Sequence, residues 1–320
     1  MRIPTLFLAA LLAAAGPLHA APIEVHHAQG TATLEGTPAR TVVFDLATLD
    51  NMHALGIEAQ AVPDARFPEH LAHYADERFP KVGSLFEPDL EAVRALEPDL
   101  IIVGDRSTPA FEALSQIAPT IDLTPATDDF FNDVVAGIES LGRIYGRDGQ
   151  AAALAGELRT LRAEVAAQAE GRDAVALFAL NGNASPHAPG ARFGTPLDAL
   201  GIGSALPPLD TPWVRKAATR SARPKPGSPE AEAARAAQAQ ALEAAMATQP
   251  DWLIVLDRGL ATAGEDAKAT DLSAIPAVAG SDAWQAGRVF ELDPAGWYLS
   301  AGSATVLREA LQDFAGRLAR

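Results

Sequence analysis

The chain has 320 residues, 48% of them hydrophobic, no cysteine and a formal net charge of −16. The lack of cysteine excludes a disulfide framework and a thiol for lipid attachment, and the acidity argues against nucleic acid or an anionic membrane as partner, since both demand a basic face. Size and apolar content suffice for one large core or two ordinary ones.

Arg2, an apolar run over residues 6–15 and then Leu18-His19-Ala20 read as a secretory signal over residues 1–20, too short for the roughly 20 apolar residues a bilayer requires. The mature chain is expected to start at Ala21 as a soluble, unanchored protein of the periplasm. Residues 23–27 and 31–35 flank Ala28-Gln29-Gly30 as a hairpin, residues 41–44 form a β-branched strand, and residues 46–56 carry apolar side chains at helical spacing up to Gly56. Segments at 59–62, 87–97, 100–103, 110–117 and 120–123 continue the alternation of strand and helix, which predicts a mostly parallel sheet in an N-terminal α/β lobe, residues 21–145.

Residues 148–170 are rich in Ala, Leu, Glu and Arg without proline, between Gly146 and Gly171. A helix of that length extends about 35 Å, enough to bridge two lobes, and residues 146–171 are expected to link them stiffly. A second βα series starts with residues 175–180 and fills a C-terminal lobe, 172–320. Residues 215–227 interrupt it with five basic residues and two prolines, as an inserted surface loop or as a lid over an anionic ligand, before a helical stretch over 229–247. A strand at 289–292 and a helix at 304–318 close the chain.

One segment occurs twice. Residues 90–106 return as residues 242–258 with ten of seventeen positions identical, including a Pro-Asp helix stop, an apolar strand and an Asp-Arg pair just past it. Ligands in open α/β sheets sit in the crevice outside the carboxyl ends of the strands. If the lobes face each other, Arg106 and Arg258 therefore point into one cleft, with Asp105 and Asp257 as candidates to hold them. Guanidinium forks match carboxylate and catecholate oxygens and keep their charge when partly desolvated. Arg192, in the loop Pro189-Gly190-Ala191-Arg192-Phe193-Gly194-Thr195-Pro196, is a third candidate on a ligand rim.

Other chemistry is thinly represented. No Gly-x-Ser-x-Gly elbow, His-Glu-x-x-His pair, dinucleotide fingerprint or phosphate-binding loop is present, so no catalytic residue is assigned and the chain is expected not to be an enzyme. His70 and His73 share a helix face without a convincing third ligand, His26 and His27 point to opposite sides of a strand, His53 is a surface or rim residue, and His187 could reach the cleft.

Across its length the chain resembles the periplasmic siderophore-binding proteins of iron ABC importers. The resemblance is carried by residues 43–46 through Leu55-Gly56, Val82-Gly83-Ser84-Leu85-Phe86-Glu87-Pro88, Pro98-Asp99-Leu100-Ile101-Ile102, Ala191-Arg192-Phe193-Gly194 and Leu292-Asp293-Pro294 through Trp297-Tyr298-Leu299. It implies an α/β fold of two Rossmann-like lobes with mostly parallel sheets, joined by one long helix, with the ligand cleft between the lobes. It also implies an anionic ferric siderophore as transported ligand, most closely a catecholate, with no intrinsic cofactor. Arg106, Arg192 and Arg258 would then offset the ligand's charge, Trp213 and Trp297 would form aromatic walls, and Tyr298 would offer a phenolate oxygen, a hard donor suited to Fe(III), where the siderophore leaves iron open. Glu91 and Glu243 would dock the two lobes of a monomer on an inner-membrane permease. The histidine partner expected in the ferric-catecholate branch is missing, because residues 201–241 contain none. Haem, cobalamin or a bare metal ion remain alternative ligands at this point, and a periplasmic hydrolase using Asp105 or Asp257 is a more distant one.

Overall fold

A computed structural model describes residues 22–213, 225–262 and 268–320; the proposed signal segment and most of the basic stretch lie outside the described residues. The chain starts as an antiparallel hairpin of β1 (Ile23–His27) and β2 (Gly30–Leu34), then runs through β3 (Thr41–Val43), β4 (Val62–Asp64), β5 (Lys81–Ser84), β6 (Leu100–Val103) and β7 (Thr120–Asp122). Strands β3, β6 and β7 form a parallel sheet, β4 and β5 form a parallel pair, and a bridge from Val42 to Ala61 joins the two. The second half contributes β8 (Asp173–Leu180), β9 (Asn183–His187), β10 (Gly203–Ser204), β11 (Trp252–Asp257) and β12 (Val289–Glu291), in the order β10-β8-β11-β12 with all pairs parallel. Two mostly parallel sheets and one long connecting helix, Asp148–Gln168, thus match the fold read from the sequence.

The strand residues alternate between two apolar layers, as a pleat of period two requires. In the first sheet Val43, Leu100 and Ile102 face inward while Val42, Ile101 and Val103 face an outer cluster. In the second, Ala174, Trp252 and Ile254 face inward and Val175, Leu253 and Val255 outward. The two inward faces join in a single continuous core. Leu154, Ala155, Leu158 and Val165 of the long helix belong to it, as do Leu307, Leu311 and Phe314 of the C-terminal helix Ala304–Leu318.

The duplicated segment is the same device twice. Glu97 and Gln249, 152 positions apart, both adopt the left-handed backbone at φ 46° and 55° and turn the chain from helix into strand. The following aspartate then pins the neighbouring strand: Asp99 accepts from the Ala39 and Arg40 amides at 3.1 and 2.8 Å, and Asp251 from the Asp173 amide at 3.2 Å. Register between β3 and β6, and between β8 and β11, is fixed at the strand starts, so the strand ends arrive at the cleft in matching positions.

The halves are also locked together away from the cleft. Helix Leu46–Ala54 carries the buried Asp50 and Asn51, which accept from the Thr305 and Ala304 amides at 2.9 and 2.8 Å at the start of the C-terminal helix. These caps satisfy N–H groups that the helix itself leaves open.

Several elements go beyond the sequence reading, β5 and β10 among them, and two of these shape the site and the packing. The loop expected after β8 begins with the hairpin strand β9, antiparallel to β8, turned by Asn181 and Gly182 at φ 51° and 75°. Asn-Gly is the standard two-residue hairpin turn because both positions tolerate positive φ. A helix, Phe130–Tyr145, also precedes the long one, and the two approach so closely at Gly142 that a Cβ there would lie 2.4 Å from that of Ala151. The basic stretch gives way to a helix, Pro229–Ala247, within the bounds read from the sequence.

Candidate functional site

The strand ends of the two sheets face each other across a narrow cleft of about 80 Å3. From the first half it is lined by Asp45, Asp105, Arg106, Thr124, Pro125, Thr127 and Phe130, and from the second by Arg192, Phe193, Trp213, Leu256 and the Trp297–Ala301 segment. Asp45 sits at the end of β3, where its carboxylate caps the next helix through the Thr48 amide and hydroxyl, each at 2.8 Å. Burial pushes the Asp45 carboxyl above the usual carboxylate range despite those two hydrogen bonds.

Each of the three arginines read from the sequence is engaged near this cleft. Arg106 follows β6 and reaches across to the other half, where it donates to the Tyr298 carbonyl and, at 3.3 Å, to the Leu299 carbonyl. Its side chain is only 10% exposed, so it is a strut between the lobes. Arg258 follows β11 and donates through Nε to the Tyr298 hydroxyl at 2.9 Å. The two guanidinium groups lie 5.2 and 5.3 Å from the centre of the Tyr298 ring, within cation–π range. Arg192 lies over Phe193 and Trp213 at 5.1 and 5.2 Å and donates to the Asp105 carboxylate of the facing lobe at 2.8 Å.

The paired aspartates of the repeat part company here. Asp105 touches arginines of both lobes, Arg192 at 2.8 Å and Arg106 at 3.7 Å. Asp257 instead accepts from the Gly259 and Thr270 amides at 2.7 and 2.6 Å, so it organises its own loop, and Arg258 reaches Tyr298 without it. Sequence identity between the copies could not reveal this, because backbone conformation separates them: Asp105 has a φ of 36° and Asp257 does not share it.

The aromatic wall is only partly the one expected. Trp213 lines the cleft, whereas Trp297 is 3% exposed and forms its floor from within the core. Phe193 takes the wall position, stacked on Phe178 at 4.1 Å and 17° and facing Tyr298 at 6.5 Å. Its signal in the sequence was its place beside Arg192. Thr127 adds a third bond across the mouth, donating to the Gly190 carbonyl at 2.8 Å.

His187 does not line the cleft; its ring packs edge-on against Phe178 and Phe193 behind the wall. Burial lowers its imidazole from 6.5 to about 4. The unfolded chain therefore takes up a proton in that interval that the folded chain refuses, and stability must fall as pH drops from 6.5 towards 4. The loss is on the order of 3 kcal/mol. His187→Gln is expected to flatten this acid limb in urea unfolding measured at a series of pH values; a variant as acid-sensitive as the parent would refute the assignment.

The remaining histidines are occupied elsewhere. His73 packs its ring against His53 and Tyr74, and His70 Nε2 lies 3.0 Å from Asp50. Among the described residues no group of three or more His, Cys, Asp or Glu side chains is placed to hold a metal ion. Glu91 and Glu243 are both exposed, on helices Leu90–Ala95 and Pro229–Ala247 that lead into β6 and β11.

The model of the family described as "Periplasmic binding protein" matches residues 42–295. The chain belongs to that family. Among its relatives, this binding protein is 29% identical over 280 residues to the petrobactin-binding protein YclQ of Bacillus subtilis, covering 86% of this chain and 81% of YclQ. It is 24% identical over 299 residues to the ferric-anguibactin-binding protein FatB of Vibrio anguillarum, covering 91% and 86%. The crystal structure of YclQ superposes with a TM-score of 0.75 at 26% identity over 93% of this chain and 99% of YclQ. That of PiuA, an iron uptake ABC transporter substrate-binding protein of Streptococcus pneumoniae, gives 0.71 at 26% identity over 91% and 96%. No helix among the described residues is long and apolar enough to cross a membrane.

Proposed function

We propose that this protein captures an anionic ferric siderophore, a catecholate-bearing chelate above all, in the periplasm and delivers it to an inner-membrane ABC permease. The observation that carries this reading is the convergence of Arg106 and Arg258 on Tyr298, with Arg192 over Phe193 and Trp213 in the wall of the same cleft. Three guanidinium groups close together in an otherwise acidic chain suit an anionic ligand, and planar catecholate rings match both the forks and the aromatic wall. The petrobactin- and ferric-anguibactin-binding relatives and the iron-uptake relative support a ferric chelate as the cargo.

Binding rather than turnover is the task in this reading. Lobes pinned through Asp50 and Asn51 open by a small movement, the chelate settles between the arginines, and the Tyr298 oxygen completes an incomplete iron shell. Glu91 and Glu243, one exposed on each lobe, then meet basic residues of the permease, which a monomer presents one per permease half.

The test is quenching of the four tryptophans by a panel of ferric tris-catecholate, ferric bis-catecholate, ferric trihydroxamate and haem. Quenching by the catecholates is expected, and quenching by haem alone overturns the proposal. Tyr298→Phe sharpens it: binding of the bis-catecholate, which leaves iron sites open, should weaken about tenfold or more and lose its phenolate-to-iron absorption, while the complete tris-catecholate is little affected.

A further inference from the structure

The Asp105 carboxylate holds the Arg192 fork that the proposed function gives to the ligand. It belongs to one lobe, yet it lies 2.8 Å from Arg192 Nη2 of the other lobe and 3.7 Å from Arg106 Nη1, and it forms part of the cleft lining. Its backbone is held at a φ of 36°, in the left-handed region that a side chain other than glycine seldom occupies, and its amide donates to Thr124 Oγ1 at 2.8 Å. Strained backbone of this kind persists only where the surroundings enforce it. The counterpart in the repeat, Asp257, spends both oxygens on amides of its own loop.

We propose that Asp105 is an internal stand-in for the ligand: in the unliganded protein its carboxylate occupies Arg192, and a bound chelate must displace or outcompete it. This rests on the reading of the cleft as a ferric-chelate site and names a residue that sets which chelates enter. A carboxylate beside the site repels an anion in proportion to the anion's charge while it also occupies the fork the anion needs. Only a ligand whose oxygens bind Arg192 better than a carboxylate does repays the exchange. The residue therefore costs a charged chelate affinity that an uncharged hydroxamate complex, which makes no claim on Arg192, does not lose, and among anions it admits those whose oxygens outcompete a carboxylate for that fork.

Asp105→Asn is the informative variant, since asparagine tolerates the left-handed backbone and keeps the side-chain shape while the charge is lost. Affinity is measured by tryptophan fluorescence for two probes, a hexadentate ferric tris-catecholate trianion and an uncharged ferric trihydroxamate, with thermal unfolding to verify that the variant is folded. The expected result is a gain of about tenfold or more for the trianion, the scale of one charge-assisted hydrogen bond, with no gain for the uncharged probe. Unchanged or weaker trianion binding would show that Asp105 positions Arg192 instead of competing for it, and equal shifts for both probes would show a merely structural role; either overturns the inference. A parent protein that binds neither probe overturns the ferric-chelate reading itself, which separates the two failures.

Discussion

Replacing Arg106 and Arg258 together by alanine is expected to weaken binding of a ferric tris-catecholate by about 3–6 kcal/mol, from roughly 1.5–3 kcal/mol for each hydrogen bond to a charged group. Both guanidinium groups act through Tyr298. Arg258 holds its hydroxyl at 2.9 Å and Arg106 holds its carbonyl, with the ring centre 5.2 and 5.3 Å from the guanidinium groups of Arg106 and Arg258. The double variant therefore removes two positive charges, frees the tyrosine and cuts one of the bonds that tie the lobes at the cleft. The losses should be non-additive, since the two residues share a partner: the single variants need not sum to the double one. Equilibrium titration of the parent, both single variants and the double variant decides the matter. A double variant that binds like the parent would sink the arginine cleft, and strictly additive losses would show that Tyr298 does not couple the two.

Much of this was legible in the chain because the repeat is an architectural statement. A seventeen-residue segment that keeps its helix stop, its strand and its Asp-Arg end in two copies must place two strand ends alike, and it does: Glu97 and Gln249 share a backbone conformation, and Asp99 and Asp251 clamp neighbouring strands in the same way. Apolar periodicity located the helices Pro229–Ala247 and Ala304–Leu318, and the long helix Asp148–Gln168 within two residues of its end. Strand β9 was hidden because its residues, Asn-Ala-Ser-Pro-His, have little strand propensity; the Asn181-Gly182 turn was its one local signal.

The site was harder to read than the fold. A sequence shows that an arginine follows a strand, not what its five donors find. Arg106 turned away from open solvent to carbonyls nearly two hundred positions later in the chain, and Asp105 crossed to Arg192 rather than serving Arg258's side of the repeat. Those contacts are long-range and depend on how the two lobes are set against each other. Trp297 illustrates the same limit from the apolar side: its motif marks the site and the residue lines the cleft, but with 3% exposure it does so as a floor set in the core, while Phe193 supplies the wall.

Leu158→Ala should cost about 2–5 kcal/mol of global stability, and both lobes should feel it. Leu158 is fully buried on the long helix, in the same apolar cluster that takes Ile102 from the first sheet and Ile254 from the second. Alanine is the best helix former, so the substitution leaves helix propensity intact and the loss is one of packing. If the helix were only a rod between two independent lobes, the variant would loosen a linker and leave two separate unfolding transitions. A shared core gives the opposite result: far-UV circular dichroism, which reports the whole chain, and tryptophan fluorescence, which reports the second half where all four tryptophans lie, should shift together to lower denaturant along one transition. The same continuity limits how the cleft can work. Lobes that share a core cannot swing widely apart without exposing it, so opening for the ligand must be small. The cross-cleft bonds of Arg106, Arg192 and Thr127 are the contacts weak enough to break and remake with each ligand, and a variant with two separated transitions would argue instead for lobes that move freely.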